Sequence, residues 1–310
     1  MEEVINDTTK AQTGAPGKDV IAFIIDKIEE WLKGLLTDSI VSSLTGLFDS
    51  VNDKVGTIAG DVGATPQGWN PSIFSLIRTL SDNVMVPIAG LILAFVMTLE
   101  LIQMITEKNN LHNEIDTWMF FKWIFKTCCA IVIVTNTWNI VMGVFDIAQS
   151  VVTSAAGVIS GSTRIDVFDA ASSIRSALSG YSMGELFGLW FLALFVNVSM
   201  SALSICIFII VYGRMIEIYL VTSVAPIPMA TMLSKEGGGM GQNYLRSLFA
   251  LAFQGFLIIV CVGIYAVLVR TISISSDISG AIWSCMGYTI LLCFTLFKTG
   301  SLAKSIFNAH

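Results

Sequence analysis

Histidine is nearly absent from this chain. His112 and His310 are the only two in 310 residues, too few and too far apart for the His-Glu-x-x-His pattern of a zinc hydrolase. Charge is scarce as well. Acidic and basic residues make up 13% of the chain, against roughly 25% in a soluble domain. The six cysteines, Cys128, Cys129, Cys206, Cys261, Cys285 and Cys293, form no Cys-x-x-Cys pair and all lie in apolar runs. They read as small apolar residues rather than as disulfide partners or metal ligands. No two carboxylates share an apolar run, so no paired-acid site is in view. These shortages point away from an enzyme and imply neither cofactor nor metal. A basic face is missing too. The net charge is −6, and residues 1–82 hold twelve acids and six bases while the rest is neutral, which argues against direct duplex binding. Residues 1–17 are polar and acidic, without the basic and apolar regions of a secretory leader, and read as disordered.

What the chain has in quantity is apolar length. Hydrophobic residues make up 54% and the mean hydropathy is +0.76. Runs near the ~20 residues that cross a hydrocarbon core occur at about 84–105, 123–145, 186–212, 248–269 and 281–297. A further run, 215–233, carries Pro226 and Pro228 and reads as a broken or re-entrant segment. The expected fold is all-α: a polytopic membrane protein whose transmembrane domain, 83–310, has about five helices plus that broken segment. Residues 1–82 form an acidic extracytoplasmic tail. In it Ile21, Ile24, Ile28, Trp31, Leu32 and Leu35 recur at helical spacing, and the pattern weakens towards Val51. Interspersed charges keep this amphipathic helix from spanning. Its polar face is not rich in Lys or Arg, which favours docking on protein over lipid.

Residues 56–68 read as a linker, and Asn70-Pro71 as the N-cap and first residue of a short helix. The polar stretch 146–185 is predicted to fold as two short helices, with capping boxes beginning at Thr163 and Ser182. With five crossings the inner side holds Lys108, Lys122, Lys126, Arg214, Lys235, Arg246, Lys298 and Lys304. The outer side then holds Arg78, Arg164, Arg175 and Arg270. Counting 215–233 as a sixth crossing reverses the excess. The positive-inside rule therefore prefers five spans, with the N-terminus outside and the C-terminus inside, and leaves six open.

Polar residues inside apolar surroundings are the natural candidates for function. Arg214 and Glu217 stand three apart on one helix face. A charge at mid-bilayer costs ~3 kcal/mol or more, so the pair is either an interfacial anchor or a coupling pair against a partner. Pro226 and Pro228 remove backbone donors. Gly237, Gly238, Gly239 and Gly241 form a run without the Gly-Lys-Ser/Thr of a phosphate loop. It reads as a flexible inner loop, followed by Arg246. These residues are coupling or gating candidates. Glu100 with Gln103, and Asn136 with Asn139, are candidates for buried polar contacts between helices.

Three segments then carry a family likeness. They are Trp118-Met-Phe-Phe-Lys-Trp-Ile-Phe-Lys126, Thr135-Asn-Thr-Trp-Asn139 and Tyr212-Gly-Arg-Met-Ile-Glu-Ile-Tyr219. With the stretch from Arg214 through Ala225-Pro-Ile-Pro228 to the glycine run, they resemble the TrbL family. Its members are relatives of the sixth VirB protein, the polytopic inner-membrane subunit of type IV secretion and conjugation systems. The likeness is to versions on Gram-positive conjugative elements and covers most of 70–305. It implies a non-enzymatic subunit at the cell membrane, in a homo- or hetero-oligomer with other secretion-system subunits and a cytoplasmic ATPase. Its cargo would be single-stranded DNA with attached protein. It also implies that the stretch 146–185 takes part in substrate passage. Two other functions stay open: a small-solute transporter or channel unrelated to conjugation, and a structural membrane scaffold. A transporter would show an internal repeat and paired broken helices, and a single broken segment is present.

Overall fold

The computed structural model describes residues 16–109, 117–235, 237–273 and 277–309. The expected disorder of 1–17 lies outside the described residues except at Pro16 and Gly17, which open a helix, and both histidines lie outside them. Eleven α-helices and no strand occur among them. In chain order they are α1 (Pro16–Val62), α2 (Pro66–Trp69), α3 (Pro71–Leu80), α4 (Val86–Asn109), α5 (Thr117–Thr135), α6 (Thr137–Thr163), α7 (Val167–Leu178), α8 (Met183–Ser223), α9 (Pro226–Thr231), α10 (Gly238–Ser273) and α11 (Ile278–Ile306). A π-helical turn, Ser81–Met85, joins α3 to α4. Six helical runs are long and apolar enough to cross a membrane: Pro71–Thr106, Thr117–Thr135, Thr137–Leu178, Met183–Ser223, Gly238–Ile272 and Ile278–Ile306. The all-α, polytopic architecture is thus the one the composition implied.

Several element boundaries differ from the expected ones, each for a local reason. The run 123–145 is two helices, because Asn136 leaves helical geometry at φ −105° and ψ 13°. The Asn136 and Ile140 amides still bridge the joint, donating to the Val132 and Asn136 carbonyls. The Thr137 hydroxyl donates to the Ile133 carbonyl at 2.9 Å, and the Asn136 amide side chain to Val132 at 2.9 Å. Side chains that bond back to the preceding turn in this way bend a helix. Beyond the bend α6 runs on to Thr163 and takes up the first half of the polar stretch 146–185. Asp166 caps α7, accepting from the Phe168 and Asp169 amides, while Thr163 is the last residue of α6. The cap at Ser182 forms as expected, with Ser182 and Glu185 bonding reciprocally.

The helix of the N-terminal tail is longer than its pattern suggested. α1 continues through Gly56 and Gly60 to Val62, where a linker was expected. A helical glycine costs about 1 kcal/mol relative to alanine. Burial of Val51, Val55, Ile58 and Val62, each 4% exposed or less, outweighs that at roughly 1.5–3 kcal/mol per side chain. The second half of α1 is therefore core, packed with α6, α7, α8 and α10. The first half leaves Ile21, Phe23, Ile25 and Trp31 exposed. The residues whose spacing suggested docking, Ile21 to Leu35, are thus exposed, and burial begins at Ile40.

α10 is the central helix. Of its apolar stretch 56% is buried, against 11% for α5. α4, α5 and α9 form a smaller unit at its side, around Ala89, Leu93, Met97, Ala130, Val134 and Ala230. The break expected within 215–233 falls at Val224 and Ala225. Residues up to Ser223 continue α8, and α9 follows.

Candidate functional site

Arg214 is 5% exposed and sits where α1, α8 and α10 meet. Its guanidinium donates to the Val62 carbonyl at 3.0 Å and to the Leu251 and Ala252 carbonyls at 3.3 Å each. Val62 is the last residue of α1, so its carbonyl has no intrahelical partner and carries the negative end of the helix dipole. A planar fork with five donors fits three converging acceptors, and a lysine ammonium does not reproduce that geometry. Gly255 makes the room. A β-carbon there would lie 2.9 Å from Val62 Cγ1 and 3.0 Å from Arg214 Nη2.

The pairing of Arg214 with Glu217 is not what the structure shows. Three residues on, Glu217 has turned about 60° around the helix and faces Lys304 of α11, at 3.4 Å. That pair is about half exposed, so the outer charge is the anchor and the inner one is structural.

Below Arg214 the aromatic residues of α8 hold the link that follows α1. The Tyr219 hydroxyl donates to the Pro66 carbonyl at 2.6 Å. Trp69 stacks edge-on against Tyr212, with ring centres 5.2 Å apart, and Phe74 meets Trp138 at the same distance. Val62, Trp69, Tyr219 and Gly255 belong to this centre, and no spacing in the sequence connects them to Arg214.

The proline and glycine segment is more ordered than its composition suggested. Pro226 and Pro228 are the first and third residues of α9. A first-turn amide has no intrahelical acceptor, so neither proline costs a hydrogen bond. Gly237 precedes α10, its amide donating to the Ser234 hydroxyl at 3.0 Å. Gly238, Gly239 and Gly241 lie in the first turn of α10, not in a loop. Glycine is needed at 241 for contact: a β-carbon would stand 2.6 Å from both Met232 Cα and the Pro228 carbonyl oxygen. Gly239 faces open space, and Arg246 is exposed on α10. Beside the α8–α9 break, the Thr222 hydroxyl is the single buried side-chain oxygen or nitrogen without a partner among the described residues.

Glu100 is a contact between helices, as expected. It takes both hydrogen bonds of the Lys126 ammonium, at 2.7 and 2.8 Å, and the Lys235 amide at 2.6 Å. Gln103 lines the hollow beside it. Asn136 and Asn139 are not buried; both are exposed. Thr137, Trp138 and Val141 occupy the packed face of α6, which turns the two asparagines outward. One string, Gly180-Tyr-Ser-Met-Gly184, has the Gly-x-Ser-x-Gly form of a hydrolase nucleophile. It follows a helix rather than a strand, and the Ser182 hydroxyl is bonded to Glu185 at 2.8 Å as part of the cap.

Residues 51–226, more than half of the chain, match the family described as TrbL/VirB6 plasmid conjugal transfer like protein. The chain belongs to this family. The matched segment contains Val62, Trp69, Arg214 and Tyr219, and it ends at the first residue of α9. No curated protein and no solved structure matches the chain significantly. This TrbL/VirB6 protein is a multi-pass membrane component of a conjugal transfer system, in which other subunits take part.

Proposed function

We propose that this TrbL/VirB6 protein is a channel or scaffold subunit that helps carry single-stranded DNA with attached protein across the cell membrane. It performs no catalysis of its own, and a separate cytoplasmic ATPase supplies the energy. The observation that carries this reading is the family match over residues 51–226, which contain Arg214, Val62, Trp69 and Tyr219 of the centre. Charge supports an orientation with the N-terminus outside and the C-terminus inside. Lys126 and Lys235 meet at Glu100, and Lys304 meets Glu217, which gathers basic residues at the end where α10 begins and α11 finishes. The opposite end holds Arg175 against Asp38, and Arg270 against the Ser162 carbonyl.

The coupling role of the segment from Arg214 to Arg246 takes a specific form here. Arg214 ties α1 to α8 and α10, and Gly241 seats α10 on α9, so a push on the inner end of α10 is felt by the helix that enters from the outside. The experiment is complementation of a strain lacking the gene, reading DNA transfer together with protein level in the membrane. Gly241→Ala should lower transfer more than Gly239→Ala at equal membrane level. Equal transfer from both would remove the coupling role, and full transfer without the gene would remove the channel role. Single cysteines at Ser234 and Ser301 should escape an impermeant thiol reagent on intact cells; labelling of both reverses the orientation.

A further inference from the structure

The α4–α5 hairpin contains two adjoining hollows of opposite character. The first, ≈ 420 Å³, is lined by Glu100, Gln103, Lys122, Trp123, Lys126 and Lys235 among others. Among its described lining residues three are lysines and one, Glu100, is a carboxylate, which accepts from the Lys126 ammonium and the Lys235 amide. The lining of described residues is therefore net positive. The second hollow, ≈ 280 Å³, continues along the same helix pair between Val86, Gly90 and Leu93 of α4 and Ile131, Val134 and Thr135 of α5. It is apolar apart from threonine hydroxyls. Thr135 returns its hydroxyl to the Ile131 carbonyl at 2.9 Å, and the hydroxyl of Thr127, at the basic end, goes to Trp123 at 2.9 Å. The two hollows meet where the Trp123 indole donates to the Met97 carbonyl at 3.0 Å.

We propose that this slot binds one anionic phospholipid, its phosphate among Lys122, Lys126 and Lys235 and one acyl chain in the groove above. Each half of the slot matches one half of such a molecule. From Met97 to Val86 the groove runs about 16 Å along α4, enough for most of an acyl chain. The basic hollow lies at the ends of two apolar helices, which is where a bilayer places its headgroups, and basic pockets between spanning helices select anionic heads. Protein covers little of α5, so lipid is its natural neighbour. A bound lipid would fasten a hairpin that has few protein contacts, close to the α9–α10 joint that Glu100 also reaches.

The test uses the full chain purified in mild detergent. Thermal unfolding is followed with phosphatidylglycerol, with phosphatidylcholine of the same chains, with diacylglycerol, with inorganic phosphate and with short single-stranded DNA. Lipid retained per chain is counted by native mass spectrometry. Phosphatidylglycerol should raise the melting temperature several degrees more than the others, with one molecule retained. Lys122→Gln with Lys235→Gln should remove that preference while leaving the Glu100–Lys126 bridge intact. Gly90→Leu, at a glycine facing open space, should lower retention of every two-chain lipid. Equal shifts from the two phospholipids overturn the proposal, as does a preference that survives the double lysine variant. So does a full shift from inorganic phosphate alone, which assigns a free-anion site. A larger shift from the DNA assigns the hollow to nucleic acid.

Discussion

The centre of the bundle and the α4–α5 hairpin both place charge among apolar helices, and they do so by different means. At the centre, Arg214 bonds to carbonyls from α1 and α10. Its hydrogen-bond partners are uncharged backbone carbonyls. At the hairpin, Glu100 and Lys126 meet as an ion pair with side chains 12% and 32% exposed, beside an open cavity. The first arrangement joins parts of the chain about 150 residues apart and tolerates little change. The second leaves a way for water or lipid to replace what is removed. Charge that organises the fold is thus enclosed by backbone, and charge available to a ligand borders a hollow.

The comparison is broken most directly at Arg214. Arg214→Met keeps the bulk and strands the terminal carbonyl of α1. Unfolding in detergent should lose about 3 kcal/mol, from hydrogen bonds to a charged group and a buried acceptor left alone. Arg214→Lys should recover only part, because an ammonium cannot serve three acceptors in one plane. A loss under about 1 kcal/mol would mean that water reaches the site.

The packing of the α9–α10 joint gives the next effect. Gly241→Ala should cost about 2 kcal/mol, since its β-carbon meets backbone rather than a movable side chain. Gly239→Ala, in open space, should be neutral or stabilise by up to about 1 kcal/mol through lower unfolded-state entropy. The reverse order in thermal melts would restore a mobile glycine loop.

At the hairpin the expected loss is smaller. Glu100→Gln should cost about 1 kcal/mol, because the pair is partly solvated. It also removes the one carboxylate among the described lining residues of the slot, so retention of phosphatidylglycerol should rise, measured as lipid per chain. Lower retention would show that Glu100 shapes the slot more than it neutralises it. Glu217→Gln should be nearly silent, under about 0.5 kcal/mol, and its effect should vanish in high salt, as for other exposed pairs. A larger, salt-insensitive loss would place Glu217 in an interface.

Some local signals in the sequence held, while the capping box read at Thr163 gave way to a cap at Asp166. Asn70-Pro71 and Ser182 start helices because their side chains cap amides two or three residues on. The prolines at 226 and 228 read as the break in 215–233, and the structure puts them in the first turn of α9, where the missing amide costs nothing. Arg214 and Glu100 stood out because charge in an apolar run demands a partner. The partners themselves were not legible: Glu217 was the near neighbour in sequence, and Val62 was 152 residues away. The glycines at 56, 60, 238 and 241 read as loop residues because composition does not record what presses against them.

The sequence by itself determined that this is an all-α membrane protein, roughly where most of its apolar runs lie, and that Arg214 and Glu100 would be costly to leave unpaired. Those properties follow from the free energy of single residues in water and in hydrocarbon. Tertiary structure alone decided that α1 is half core, that Arg214 serves the end of α1, that Gly255 and Gly241 are contact points and that α4 and α5 enclose an amphiphilic slot. Each of these depends on which helices become neighbours. That choice is made by the packing of many side chains at once, and no spacing along one segment encodes it.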